Sequence, residues 1–408
     1  MSKINLNELK KGAGFLLVGQ VVQAASGFGV NLVLVRYLMP EEFGRFALVL
    51  AAMALIYSVL SLRVESMIIR ATEDGLNEET RERYFSASVI ETVFSSSVMI
   101  LWIFWSANAG LWEVGLIIAL GVRHWANQNK AFFERSMPYR KLAFMETITL
   151  TAGHLLALAL ILSGFGAAVL YIREFFLTIA GLVGLWAIGG LTVCRFVLPG
   201  WGDVCSLFKE ARGMWLDAVL ENSFNRIIIL AVGLIGGDRA AGFFFQAQRL
   251  AHVPQQFLGP IVSRVAGNWF GRTENRLERR NGRDKLLIIL APPLLILALA
   301  CFFLADPVVP WLFGERWVPS APLLAAMCGM AGFLSLFEVL KSYCWTARQV
   351  RWLLVGRIAQ YGGCLALVGA ALIGYLPADL ALAAGLSAAY ALAVIVVIIA
   401  LRRAERDW

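Results

Sequence analysis

Twelve long apolar runs separated by short charged loops dominate this sequence. They fall near residues 12–35, 46–69, 84–106, 111–131, 142–163 and 167–193, then 213–236, 240–268, 285–305, 320–346, 352–373 and 379–401. A helix needs about 20 apolar residues to cross roughly 30 Å of hydrocarbon, and these runs meet that length. In hydrocarbon every backbone N–H and C=O must be paired within its own segment, so such runs fold as helices. Composition agrees, with 59% hydrophobic and 16% charged residues, against about 25% charged in soluble domains. The sequence predicts an all-α, polytopic membrane protein of about twelve transmembrane helices.

The loops carry an orientation. On the side of the two termini they hold 24 Lys and Arg residues, among them Lys10, Lys11, Arg135, Arg140, Arg276, Arg279, Arg280, Arg402 and Arg403. The opposite loops hold four: Arg36, Arg45, Arg239 and Arg316. The positive-inside rule then predicts an inner-membrane protein with both termini cytoplasmic. Basic loops beside anionic lipid also account for the net charge of +8 without nucleic acid. Trp102, Trp105, Trp112, Trp311 and Trp317 on one side, and Trp201, Trp215, Trp269 and Trp352 on the other, mark the two interfaces.

The chain repeats itself. A shift of 198 lays Pro40-Glu41-Glu42-Phe43-Gly44-Arg45-Phe46 on Asp238-Arg239-Ala240-Ala241-Gly242-Phe243-Phe244, a tight turn followed by a Gly-aromatic step in both. The expectation is two pseudo-symmetric six-helix lobes, residues 1–198 and 199–408, joined by a linker at 194–212 with Pro199-Gly200-Trp201-Gly202. The six cysteines show no CxxC, so free thiols and no metal site are expected. The first run lacks a cleavage site and reads as a retained helix. The longest outer segment, 305–319, is too short for a catalytic domain; no cofactor is implied, and the three histidines show no HExxH spacing.

Charges at membrane depth cost several kcal/mol and are functional candidates by default. The competing reading is an ion pair or a snorkelling side chain. Asp217, Glu221 and Asn225 recur at i, i+4, i+8 on the seventh helix, with Arg226 beside them. A milder stripe of Gln20, Gln23, Gly27 and Asn31 on the first helix is its repeat partner; if the lobes face each other through these helices, both stripes line the central cavity between them. The eighth helix aligns Arg249, His252 and Gln256, with Pro254 and Pro260 breaking its ladder. Arg63 and Glu65, two residues apart, should face different partners. Arg123, Asn127 and Lys130 share a face of the fourth helix, and Glu338 and Lys341 suit a local pair. Arg63, Arg123, Arg173, Arg226, Arg249, Arg264, Lys341 and Arg357 make the interior cationic. Arginine stays charged when desolvated and grips phosphate bidentately, which suits an anionic substrate. Glu65, Glu91, Glu146, Glu174 and Glu221 could carry protons or pair with these arginines. Gly164-Phe165-Gly166 and Gly181–Gly184 read as close helix packing.

Two segments carry a family resemblance. Val33–Ala47, with Arg36-Tyr37-Leu38 before Glu42-Phe43-Gly44, is similar to the opening hairpin of the polysaccharide-transporter branch of the MOP exporter superfamily. Trp311-Leu312-Phe313-Gly314-Glu315-Arg316-Trp317, followed by Ala321-Pro322-Leu323-Leu324, resembles its second-half loop and tenth helix. The resemblance implies a MATE-like, non-enzymatic flippase. It would move undecaprenyl-diphosphate-linked oligosaccharide between leaflets by alternating access, for O-antigen, capsule or exopolysaccharide synthesis. Partners would be the lipid-linked oligosaccharide, membrane lipids and other polysaccharide assembly proteins. Arg63, Arg123, Arg226, Arg249, His252 and Asn225 are the substrate candidates, and Glu65, Glu91, Asp217 and Glu221 the coupling candidates. The alternative is a cation-coupled multidrug exporter of the MATE branch, which Asp217 and Glu221 would serve. A glycosyltransferase or polymerase would need a large outer loop or a DxD motif, and the sequence has neither.

Overall fold

The computed structural model describes residues 6–71, 76–105, 110–135, 139–273, 275–373 and 377–405. The side chains of residues 6–18, and of Gln20, Asp217 and Arg264 among later ones, lie outside the described residues. The chain is all-α. In order it forms α1 (Leu6–Tyr37), α2 (Pro40–Leu60), α3 (Val64–Arg70), α4 (Glu78–Trp105), α5 (Leu111–Glu134), α6 (Tyr139–Leu162) and α7 (Ala168–Ala187). There follow α8 (Trp201–Ala251), α9 (Val253–Arg272), α10 (Arg276–Phe313), α11 (Ser320–Ala326), α12 (Cys328–Thr346), α13 (Val350–Leu372) and α14 (Ala378–Ala404).

These fourteen helices map onto twelve spans because breaks split some spans and one long element joins two. The second span is α2 plus α3, the tenth is α11 plus α12 with a 40° bend, and α8 is two helices meeting at Gly237, whose φ is 70°. Eight described helices are long and apolar enough to cross a membrane, nine if the bent pair counts as one. Helix α10 shows which solvent they meet: its best window has mean hydropathy 2.8, yet only 11% of it is buried. Ile288, Ile289, Ile296 and Phe303 point outward from it. Apolar surface of this kind is stable against lipid and not against water.

Two compact units emerge from the packing: Met1–Leu38 with Val49–Ile227, and Met39–Leu48 with Ile228–Trp408. In the first, α1 lies on α6, α6 on α7, and α5 is held between α3, α4 and α7. A core of Val64, Met67, Ile68, Tyr84, Ala87, Leu207 and Ala211 sits beneath α3. In the second, α12 is central, packed by α9, α10 and α14 around Phe270, Phe337, Leu340, Tyr343 and Val397. The second unit also contains the residue 39–48 hairpin. A Cβ on Gly44 would lie 1.7 Å from the Asp238 carbonyl oxygen, and one on Gly242 would lie 1.9 Å from that of Pro40. The two Gly-aromatic steps therefore cross backbone to backbone, and beside them Trp317 is fully buried against Phe43, Phe243 and Phe313.

Several expectations need correction. The linker is shorter than 194–212, because α8 already begins at Trp201, where Asp203 accepts the Gly200 N–H at 3.0 Å. Helix α10 continues through Pro307 and Pro310 to Phe313, so the segment expected at 305–319 is mostly helical. The eighth span breaks at His252, three residues after Arg249 within the expected Arg249–Gln256 face and just before Pro254, while α9 runs on through residue 260. Gly164 and Gly166 have φ of 86° and 57° with open space at their Cβ positions, so they make a turn and not a packing contact. Gly184 does pack, against Met145. On α1, Gln23 donates to Thr147 Oγ1 at 3.0 Å and Gly27 abuts His154, both on α6.

Candidate functional site

The first unit holds a cavity of about 310 Å³ between α2, α5 and the first half of α8. Its polar lining is Tyr57, Arg123, His124, Asn127 and Arg226, and its floor is Leu50, Met53, Ala54 and Leu120. Helix α5 supplies most of the polar groups because Arg123 and Asn127 are one turn apart. The same face continues into a second cavity of about 200 Å³ between α5, α6 and α7, where Lys130 and Glu146 meet.

The two arginines are held differently. Arg123 is fixed by α7: Nη1 donates to Glu174 Oε2 at 2.6 Å, Nη2 to the Glu174 carbonyl at 2.7 Å, and Nε and Nη2 to Thr178 Oγ1. Arg173 also pairs with Glu174, at 2.5 Å, so two guanidinium groups share one carboxylate. One unit of positive charge is left over beside the cavity. Arg226 meets no hydrogen-bond or ion-pair partner among the described residues and is half-buried in the cavity wall. A guanidinium left unpaired at membrane depth costs several kcal/mol unless an anion arrives.

The other candidates fall elsewhere. Arg63 caps α3 in the left-handed region, φ 56°, and pairs with Glu65 at 3.3 Å. They were expected to face apart, but the residues leave the helix at Ser61–Arg63, so helical spacing does not apply to them. Glu91 is buried, accepts from the Leu62 N–H at 2.8 Å and from Gln128 Nε2 at 2.7 Å, and shares a hydrogen bond with His124 Nε2 at 2.6 Å. The ring of His124 stacks on Tyr57 at 4.1 Å. Glu221 and Asn225 are half-buried on the first half of α8, and the side chain of Asp217 lies outside the described residues. Arg249 and His252 belong to the second unit, on either side of Ala251, where α8 ends. The expected local pair Glu338–Lys341 is present at 3.7 Å. Arg357 is buried over the Phe337 ring at 4.6 Å. Among the described residues no His, Cys, Asp and Glu cluster could hold a metal. All six cysteines are free.

His124, Gln128 and Thr178 escaped the sequence reading. A lone histidine carries no spacing signal, and its partner Glu91 lies 33 residues away on another helix. A buried carboxylate and a histidine at similar depth on adjacent spans were the available clue.

A family profile described as polysaccharide biosynthesis protein matches residues 33–322. The chain belongs to that family. Two curated relatives are similar over most of its length. The succinoglycan biosynthesis transport protein ExoT of Rhizobium meliloti is 24% identical, over 81% of this chain and 68% of that one. The lipopolysaccharide biosynthesis protein WzxC of Escherichia coli is 22% identical, over 78% and 65%. The chain thus spans about two thirds of the length of these relatives. Among solved structures, the lipid II flippase MurJ superposes with a TM-score of 0.71 at 10% identity, covering 95% of this chain and 87% of that one. An inward-facing MATE multidrug transporter gives 0.66 at 14%, covering 96% and 98%. The chain is therefore a multi-pass membrane protein with the fold of the MOP transporters.

Proposed function

We propose that the chain is a flippase that carries an undecaprenyl-diphosphate-linked oligosaccharide across a bacterial inner membrane, without chemistry, by alternating access. The observation that carries this reading is Arg226, without a partner among the described residues in a cavity that also presents Arg123 and Asn127. A diphosphate headgroup supplies the missing anion, which the Arg226 guanidinium can take bidentately while Arg123, held by Glu174 and Thr178, adds its charge. Membership of a polysaccharide biosynthesis family supports an oligosaccharide cargo. The described lining of the cavity holds no carboxylate, which disfavours an organic cation.

In this reading the lobes 1–198 and 199–408 alternate. Arg63, Arg249, His252 and Asn225 extend the substrate path, while Glu65, Asp217 and Glu221 balance or couple charge. The 24 basic residues on the terminal side support cytoplasmic termini.

The test is complementation of a strain depleted of this protein, reading the lipid-linked oligosaccharide pool by leaflet. Arg226→Ala should insert normally yet retain the pool on the cytoplasmic leaflet, with transport down about 10–100-fold for loss of a charge-assisted contact. Arg226→Lys should recover part, since the charge returns without the fork. Normal surface polymer from Arg226→Ala would overturn the cavity assignment.

A further inference from the structure

The Glu91–His124 pair adjoins the cavity yet has no role in the reading above. The 2.6 Å contact between Glu91 Oε1 and His124 Nε2 needs a proton between the two atoms, since two bare lone pairs would repel. With that one proton the pair carries a charge of minus one. The other ring nitrogen, Nδ1, has no hydrogen-bond partner among the described residues, and the imidazole is part of the cavity wall. A second proton on Nδ1 makes an imidazolium–carboxylate pair of zero net charge.

The surroundings hold the pair in register for this. Gln128 donates to Glu91 Oε1 at 2.7 Å, and the Leu62 N–H donates to Oε2 at 2.8 Å, so the carboxylate cannot swing away. Tyr57 from α2 stacks on the ring, and its hydroxyl pairs with the Ser96 hydroxyl at 2.9 Å rather than with the histidine. The charged groups around it are few. Arg63 and Glu65 at the α3 start neutralise each other, Arg123 is shared with Glu174 and Arg173 from α7, and Lys130 further along α5 is taken by Glu134 and Glu146. Arg226 from α8 is the charge in the cavity wall that has no partner among the described residues.

We propose that Glu91 and His124 form a proton-binding dyad whose second proton is taken up together with an organic diphosphate in the adjoining cavity. This rests on the cavity reading of the preceding section. The physics is linkage: a singly protonated dyad repels the incoming anion, a doubly protonated one does not, and whatever the proton does for the anion the anion does for the proton.

The experiment uses the full chain in lipid nanodiscs and undecaprenyl diphosphate as the probe. Calorimetry in buffers of different ionisation enthalpy counts the protons taken up per lipid bound. Wild type should take up a proton on binding near neutrality, and its affinity should fall about tenfold from pH 6 to pH 8, roughly the effect of one neighbouring charge at an effective dielectric near 20. His124→Gln, which keeps a donor for Glu91, should bind with no uptake and a flat pH profile, and Glu91→Gln should also lose the uptake. Inorganic diphosphate run in parallel separates the sources: linked uptake with it means the headgroup suffices, and uptake with the lipid alone means the tail must place it. Wild-type binding without proton uptake, or uptake that survives in His124→Gln, overturns the dyad while leaving the cavity reading intact. No binding by wild type at any pH overturns the cavity reading and the coupling together.

Discussion

Replacing Gly44 by alanine tests the backbone crossing of the two hairpins. The added methyl would stand 1.7 Å from the Asp238 carbonyl oxygen, 2.6 Å from its carbon and 2.8 Å from the Gly242 nitrogen. All three are backbone atoms, so no side chain can rotate to make room, and the hairpins have to separate. Overpacking a well-packed site costs about 1–3 kcal/mol, and the rigid opposing backbone puts this case near the top of that range. For a domain of roughly 150–250 residues each kcal/mol moves the Tm by about 2–4 °C, so a fall of about 6–12 °C is expected. Thermal loss of the monodisperse peak of a fluorescent fusion on size exclusion measures it. Gly242→Ala, whose methyl would lie 1.9 Å from the Pro40 carbonyl oxygen, should match it. Gly362→Ala is the control: nothing lies within 4 Å of its Cβ position in α13, and alanine gains about 1 kcal/mol of helix propensity. A Gly44→Ala protein that melts with wild type, or with the control, would refute the crossing.

Three further outcomes follow from other contacts. Glu405 accepts from Arg283 at 2.7 Å and from the Tyr343 hydroxyl at 2.5 Å with its side chain fully buried, clasping the end of α14 to α10 and α12. Glu405→Ala should cost about 3–5 kcal/mol in the same melting assay, as breaking a buried pair does. Arg123→Lys loses most of the fork that grips Glu174 and Thr178, and should fail to restore transport although the charge is kept; full complementation would refute the positioning argument. Cys205 is exposed, whereas burial pushes the Cys194 thiol up despite nearby Arg81. A membrane-impermeant maleimide should therefore label Cys205 first, and Cys194 labelling should rise as pH climbs past the ordinary thiol range, because only the thiolate reacts. Labelling confined to inverted vesicles checks the orientation as well.

The spans were legible because crossing hydrocarbon imposes length and polarity on consecutive residues, a local property. The breaks inside them were not. Leu60-Ser61-Leu62-Arg63-Val64 contains no Gly or Pro, and the helix stops there while Glu91, on another helix, accepts the Leu62 N–H. That same break turned Arg63 and Glu65 into partners. Polar stripes could be found from spacing, but spacing does not say what faces them: on α1, Gln23 meets Thr147 and Gly27 meets His154. Arg123 and Arg226 were legible as charges at depth. That Glu174 holds the first and no described partner holds the second depends on contacts between distant helices.

The glycine crossing has a consequence for ancestry. The shift of 198 that lays Gly44 on Gly242 also lays Pro40 on Asp238, and each glycine meets the carbonyl that corresponds to the one its counterpart meets. Such a contact is isologous: one surface, used twice, complements itself. A half-length chain carrying a single copy of this hairpin would already possess everything needed to dock onto a second copy of itself there. Gene duplication and fusion would then have had no new interface to invent at this point. It would only have freed the two copies to diverge everywhere else, with both glycines held in place by a joint steric demand that neither can escape alone.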